Sequence, residues 1–544
     1  MKLLTILYTQ LRTVVKILFI ALFFLSCDQD ILDEIPLDSL SSDNVLTSPE
    51  GFQNYLVALS RAAREEMTMD DKSYVMNCIG TDIASAAGVE HVFFKDYTTY
   101  LTPALSFTET VWNWAYMEMI MPANTVIGYA EKEELSGIWN SEQEMNAIIA
   151  EARFYRAYTY NLLANTYGGV PLVTEFYSEP KVNFERASRQ ETYELAKQDL
   201  EFASEWLPES VDDEGRIVKA AANHLLSEVY ISLGEYDKAI ETASKVIDSG
   251  KYQLMTTRFG INRNGPGDVY SDLFQDGNQN RSSGNLETIY VWQIEEYTVG
   301  GSGTYSGNSH IRQWGPFLVK IKDPDGIPIL ASDSLNRGVG ACRGSNYLLY
   351  DIWKDNWDND IRNSAYNMRR NFYYNNPKSA YYGQEVEKRT VAEDTLRNMY
   401  AYPRKVEGKA WLGNISSGRT SKDIIVYRLA ETYLLRAEAY FRNGMLEEAA
   451  ADINKLRNRA HATPVDAVNV TLDYILDERA RELMVEEPRR RTLTRMGKLV
   501  ERVRKYNLLE ITRTSIKDYH EFYPIPQSAI DANFGAELGQ NPGY

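Results

Sequence analysis

Residues 224–252 read HLLSEVYISLGEYDKAIETASKVIDSGKY, and this stretch decides the fold. Leu225, Val229 and Ser232 lie on neighbouring faces of one helix, while Leu226, Ser227 and Tyr230 mark the face that packs. Leu233-Gly234-Glu235-Tyr236 is a turn, because Gly234 can take the positive φ that ends a helix. Ala239 and Ala243 then let a second helix approach the first closely. The stretch therefore predicts a helix–turn–helix pair.

The same grammar returns in ETYLLRAEAYFRNGMLEEAAADINKLRNRA, residues 431–460. Ala437, Tyr440, Gly444, Leu446 and Ala449 stand 210 residues beyond Ser227, Tyr230, Gly234, Tyr236 and Ala239. Five matches in one register indicate a tetratricopeptide-type repeat. A third, weaker copy is AIIAEARFYRAYTYNLLANTYGGVP, residues 147–171, stopped by Gly168-Gly169-Val170-Pro171. Residues 475–506 read as a further helix pair broken around Pro488.

Residues 255–420 have a different composition, rich in Gly, Asn, Asp, Tyr and Trp. GGSGTYSGNSH (300–310) and KDPDGIP (322–328) predict irregular loops, and LETIYVWQIEEY (286–297) a short strand. Loops of that length inside a compact chain are usually functional. The expected fold class is mainly α, a scaffold of tetratricopeptide-type helix pairs with a large loop-rich insertion and minor β structure. The boundaries read from composition are a leader at 1–26, an acidic linker at 27–50, a helical region at 51–254, the insertion at 255–420 and a second helical region at 421–544.

The N-terminus carries Lys2, Arg12 and Lys16, then an unbroken apolar run from Ile17 to Leu25, then Ser26 and Cys27. That run is too short for a membrane span, which takes about 20 residues. It has the layout of a secretory signal. Phe24-Leu25-Ser26-Cys27 resembles a bacterial lipobox, which implies that Cys27 is acylated and anchors the chain. Asp28, Asp30, Asp33 and Glu34 follow, and their charge keeps the linker off anionic headgroups. Removing 1–26 lowers Lys plus Arg from 58 to 55 against 76 acids, a net charge of −21. A nucleic-acid partner, which needs a basic footprint, is excluded on that ground. Cys78 and Cys342 are the other two cysteines, so stability rests on packing and not on a disulfide framework.

The repeats occur in a fixed order and the chain closes on Tyr523-Pro524-Ile525-Pro526 and QNPGY, residues 540–544. With ARFYRAYTYNLLANTYGGVPLV (152–173) and ERARELMVEEPRRRTLTRMGKL (478–499), this combination resembles the SusD/RagB family of outer-membrane nutrient-binding lipoproteins. TLTRMGKL departs from the family's usual Asp-Leu and Trp at this site. The resemblance covers nearly the whole mature chain. It implies a SusD-like fold and a non-enzymatic, surface-exposed protein of the cell outer membrane, held there by its lipid anchor. It further implies capture of an oligosaccharide ligand and its delivery to a SusC-like TonB-dependent transporter.

The chemistry legible in the residues agrees with binding. HExxH, GxSxG, a P-loop and CxxC are all absent from the sequence, and no cofactor or metal is expected. Asp355, Asp358 and Asp360 around Trp357 lack the glycine and terminal Glu of an EF-hand loop, so they read as a solvated turn. Sugar binding needs aromatic faces for the C–H faces of pyranose rings and planar polar groups for the hydroxyls. Trp292 lies in the expected strand, and Tyr305, Asn308, Arg312 and Trp314 lie on the following Gly-rich loop. A second group, His91, Phe93, Tyr97 and Tyr100, falls where the family's glycan-binding members place loop aromatics. These nine are the candidate ligand residues. Trp112 and Trp114 read as core, and Arg489-Arg490-Arg491 as structural partners of Glu482, Glu486 or Glu487. A peptide receptor of the same architecture and a surface glycoside hydrolase remain alternatives.

Overall fold

The structure is a computed structural model that describes residues 41–544 apart from 69–76, 89–91, 178, 303–306, 333–334 and 393, together with 3–4, 6–8 and 11–12. Cys27, His91 and Tyr305 lie outside the described residues. The chain enters through α1 (Pro49–Thr68) and then α2 (Ser106–Asn113), which passes by a π-helical turn, Trp114–Ile120, into α3 (Met121–Ala130). A stack of antiparallel helices follows: α4 (Glu142–Thr166), α5 (Arg189–Trp206), α6 (Lys219–Leu233) and α7 (Tyr236–Ile247). Each packs on its predecessor. The insertion then leaves the stack, and α8 (Leu429–Arg442) returns to lie against α7, with α9 (Leu446–Arg459) next to it. The two repeat copies, 210 residues apart in sequence, are thus neighbours in space.

Local physics makes these pairs. Gly234 and Gly444 end α6 and α8 with φ of +78° and +79°, a region an L side chain enters only with strain. Ser227, Ala239, Ala437 and Ala449 are fully buried, which brings the helix axes close. α4 is buried on almost all sides, and Gly168 at φ +80° stops it. Its charged residues are paired: Arg156 reaches Asp199 at 2.7 Å and Glu151 receives Arg216 at 2.6 Å. Past α9 the chain makes α10 (Leu472–Leu483), α11 (Arg489–Arg495) and α12 (Leu499–Tyr506). The single break expected at Pro488 is joined by a second at Gly497, whose φ is +66°, so this region holds three helices and not a pair.

The strands are few and antiparallel. β2 (Thr288–Trp292), inside the insertion, pairs with β6 (Ile424–Arg428) just beyond it, where β6 feeds directly into α8. β1 (Ala84–Ala86) pairs with β3 (Cys342–Gly344), tying the N-terminal region to the insertion. Beside that ladder the sulfurs of Cys78 and Cys342 lie 3.5 Å apart as buried thiols in contact. β4 (Met368–Arg369) pairs with β5 (Tyr402–Pro403) inside the insertion.

Between insertion and stack lies a buried layer of charge. Glu482 on α10 accepts from Arg428 at 2.6 Å, from Arg362 at 2.9 Å, and from Arg459. Glu287 holds Arg428 at 2.7 Å and Arg459 at 3.0 Å, and Glu478 holds Arg362 and Arg457 at 2.8 Å. Burial pushes the Glu482 carboxyl up, but Arg459, Arg428, Arg362 and Lys405 outweigh it and hold the group well below the carboxylate range. The partners expected for the arginine run are corrected here. Glu482 and Glu486 serve Arg428, Arg459, Arg362 and Lys405 instead. Arg489 pairs with Asp82 at 2.7 Å as well as with Glu487 at 3.0 Å. Arg490 donates to the Tyr97 hydroxyl, and Arg491 reaches Glu66 at 2.8 Å. The cause is the helix start at Arg489, which turns the run away from the end of α10.

Candidate functional site

The insertion presents a polar cleft of 340 Å³, within the size range of small-ligand sites. One wall is the short helix Val269–Phe274, whose N-cap Asp268 accepts the Ser271 amide at 2.8 Å. The opposite wall is the β4–β5 ladder, which aligns Tyr366 and Asn367 with Arg404 and Lys405; the Arg404 amide donates to the Asn367 carbonyl at 2.8 Å. Phe274 forms the floor, with the Lys405 ammonium 4.3 Å from its ring centre. Gln275, Asp276, Glu407 and Lys409 complete the lining.

The cleft has the two kinds of group that recognise a sugar. Tyr366 is 44% exposed and offers a ring. Arg404 is held by Glu407 at 3.0 Å and by the Ala365 carbonyl at 3.0 Å, so its planar fork is preset. Beneath it, Lys422 is caged by the backbone carbonyls of Phe274, Lys405 and Glu407. Burial pulls Lys422 and Lys405 down to about 8 each, so both remain cations at neutral pH.

A second loop adjoins the cleft. Lys409 lines the cleft and also reaches Glu296 at 3.8 Å. Glu296 accepts the Ser421 hydroxyl and, at 2.7 Å, the Leu412 amide, which together hold its carboxyl below the usual range. The next residue, Tyr297, is 90% exposed at φ +63°, a conformation an L residue enters only under constraint. Arg64 of α1 supplies that constraint by donating to the carbonyls of Gln293 and Gly300.

The residues singled out in the sequence fall differently. Trp314 is fully buried and Trp292 nearly so, its ring nitrogen donating to the Tyr290 hydroxyl at 2.9 Å. Asn308 is buried in a bridge with Thr420, and its side chain donates to the Lys422 carbonyl at 3.1 Å. Tyr97 is buried, donating to the Gly80 carbonyl at 2.9 Å, and Phe93 stacks on Phe107 at 5.1 Å. Trp314, Trp292, Asn308 and Tyr97 thus belong to the interior, whereas Phe93 is half-buried against it. A short segment explains the inversion: Gly307, at φ +83°, lets the loop press onto Trp411, and the helix His310–Trp314 turns its apolar side inward. Arg312 is half-buried, donating to the Ser417 carbonyl at 3.4 Å. Tyr100 remains 45% exposed. Asp360, once part of the acidic turn, is committed to Arg362 at 2.8 Å, and among the described residues no cluster of acids, His or Cys is arranged to hold a metal.

His310 adds a pH dependence. Burial, reinforced by the Lys422 ammonium, holds the ring down to about 3 from the ordinary 6.5. The unfolded chain takes up this proton below pH 6.5 and the folded chain does not, so stability falls as the pH drops from 6.5 toward 3. At pH 4.5 the loss amounts to roughly 2–3 kcal/mol. In His310→Gln the fall in urea midpoint between pH 7 and 4.5 should be correspondingly shallower. An identical fall in both proteins would show that the folded ring titrates normally.

Residues 344–544 match a family model described as SusD family, and residues 30–231 match one described as starch-binding associating with outer membrane. The chain belongs to the SusD family. The starch-binding protein SusD of Bacteroides thetaiotaomicron is 28% identical over 419 residues, covering 73% of this chain and 72% of that protein. SusD-like protein P25 of Formosa agariphila is 25% identical over 418 residues, covering 72% of each. The fold is shared with a laminarin-binding SusD-like protein at a TM-score of 0.67, with 22% identity over 92% of this chain and all of the other. A SusD homologue of Bacteroides thetaiotaomicron superposes at 0.71, with 20% identity over 92% of this chain and 98% of that one. The names of these similar proteins describe binding of carbohydrate: starch for SusD, and glycan for surface glycan-binding protein A of Bacteroides fluxus, which shares the fold. Among the described residues of this SusD-family chain no helix is long and apolar enough to cross a membrane.

Proposed function

We propose that this protein is a surface lipoprotein that captures oligosaccharide at the insertion and passes it to a SusC-like TonB-dependent transporter. The observation that carries the reading is the cleft itself. An exposed tyrosine and a preset guanidinium stand on one wall of a cleft floored by Phe274, in a chain of a carbohydrate-binding family. Tyr366 covers the C–H face of one pyranose ring, and Arg404, Gln275 and Asp276 meet its hydroxyls. Tyr297, on the adjoining loop, extends the surface for a longer chain. Cys27 carries the lipid, and the acidic residues after it hold the binding domain clear of the outer membrane. Starch and laminarin, the ligands of two relatives, are the first glycans to try.

The test is electrophoresis of the purified protein through gels containing a panel of polysaccharides, followed by calorimetry on any hit. Retardation by one glycan is expected, with Tyr366→Ala weakening it about tenfold, the loss of one stacked contact, at unchanged thermal stability. Retardation by none of the panel, with binding to peptides instead, would reject the reading in favour of a peptide receptor.

A further inference from the structure

Away from the cleft, another pair of rings faces water. Tyr350 and Trp357 flank the helical turn Asp351–Asn356; their planes lie 12° apart and their centres 6.4 Å. They are 38% and 40% exposed, while Trp353 between them is fully buried. The guanidinium of Arg370 lies over both rings, 5.9 Å from the centre of Tyr350 and 4.8 Å from that of Trp357. It is anchored from the protein side. Its nitrogens donate to the Leu349 carbonyl at 2.8 Å and to the Asn363 side chain at 2.6 Å. Burial lowers its pKa without neutralising it. The cation therefore occupies the inner face of the pair and leaves the outer face to solvent.

The pair is rigid as well as exposed. The ring nitrogen of Trp353 donates to the Leu348 carbonyl at 2.8 Å, and Asn363 donates to the Trp357 carbonyl at 2.7 Å. Leaving two large rings partly in water forgoes part of the stabilisation that burying them would give. A flat apolar surface so fixed suits a ligand with flat apolar faces. Next to the two rings in the chain, Asp351, paired with Lys354 at 2.8 Å, and Asp358 are exposed carboxylates able to accept sugar hydroxyls.

We propose that Tyr350 and Trp357 form a second carbohydrate-binding surface, separate from the cleft, that takes the pyranose rings of a neutral polysaccharide. The proposal rests on the reading of this chain as a glycan-binding protein. The turn 361–370 links the two places: it carries Arg370 beneath the shelf and Tyr366 into the cleft. A polymer engaging both gains effective concentration at the second contact, whereas a short oligosaccharide engages one.

The experiment compares wild type, Trp357→Ala and Tyr366→Ala, using a polysaccharide that retards the wild-type protein and its short oligosaccharides. Trp357→Ala should weaken polymer binding five- to tenfold, about the value of one aromatic contact, and change oligosaccharide binding less than twofold. Native circular dichroism and an unchanged melting temperature accompany that result. Unchanged polymer binding in Trp357→Ala, where Tyr366→Ala weakens it, overturns the shelf and leaves the glycan reading standing. Loss in Trp357→Ala but not in Tyr366→Ala supports the shelf and removes the cleft. A wild type retarded by no glycan rejects both.

Discussion

Glu482→Leu is expected to lose about 3–5 kcal/mol of folding stability, the cost typical of removing one partner from a buried ion cluster. Glu482 is fully buried and faces three guanidinium groups, Arg428, Arg362 and Arg459, with the Lys405 ammonium also close. Glu287 and Glu486 retain part of the compensation for Arg428, and Glu478 with Asp360 retains most of it for Arg362. Arg459 is left with Glu287 alone. The excess positive charge sits where no water reaches it, at the seam between the insertion and the stack. Urea unfolding of Glu482→Leu measures the loss directly, and Glu482→Gln keeps the shape and part of the hydrogen bonding should the leucine variant not fold. Because the Glu482 carboxyl is held below its unfolded value, its stabilising contribution is complete above the ordinary carboxylate range. It is lost as acid titrates the folded group, so the gap between wild type and variant should narrow toward low pH. A variant within 1 kcal/mol of wild type at pH 7 would mean that the remaining carboxylates carry the cluster unaided.

The helix pairs were legible in the sequence because their physics is local. Gly234 and Gly444 have one backbone role each, and Ala239 and Ala449 one packing role; both show as spacing. The β2–β6 ladder was half legible: Thr288–Trp292 reads as a strand, but its partner Ile424–Arg428 lies 136 residues further on, counting from Thr288 to Ile424. Of the rings chosen from the sequence, Trp314, Trp292 and Tyr97 are buried, and neither Tyr366 nor Arg404 of the proposed cleft was among the chosen residues. Trp314 was chosen because its loop is too polar to be core, and Tyr97 from the family resemblance. Burial, however, is set by contacts with segments distant in the chain: Arg490 donates to the Tyr97 hydroxyl and Tyr400 to the Trp314 carbonyl. Tyr366 and Arg404 were passed over because only the β4–β5 ladder brings them together. The Asn- and Tyr-rich run at 366–376 was the available signal.

Trp314→Ala separates the two readings of the insertion most sharply. A ring on a binding loop would lose ligand on truncation and leave folding intact. The structure gives the opposite expectation. Trp314 has no exposed surface and belongs to the same continuous core as Ile311, Leu318 and Cys342. Removing its indole leaves a cavity that Gly315 and Gly338, already pressed together backbone to backbone, cannot close by moving inward. The loss should be about 3–5 kcal/mol, measured as a lower urea midpoint at unchanged slope. Glycan affinity of the fraction still folded should change less than twofold, since the ring touches neither Tyr366 nor solvent. Tyr366→Ala should show the reverse pattern, with affinity lost and the midpoint kept. If Trp314→Ala instead melts like wild type and no longer binds glycan, the indole reaches the ligand and the helix His310–Trp314 must turn outward in solution.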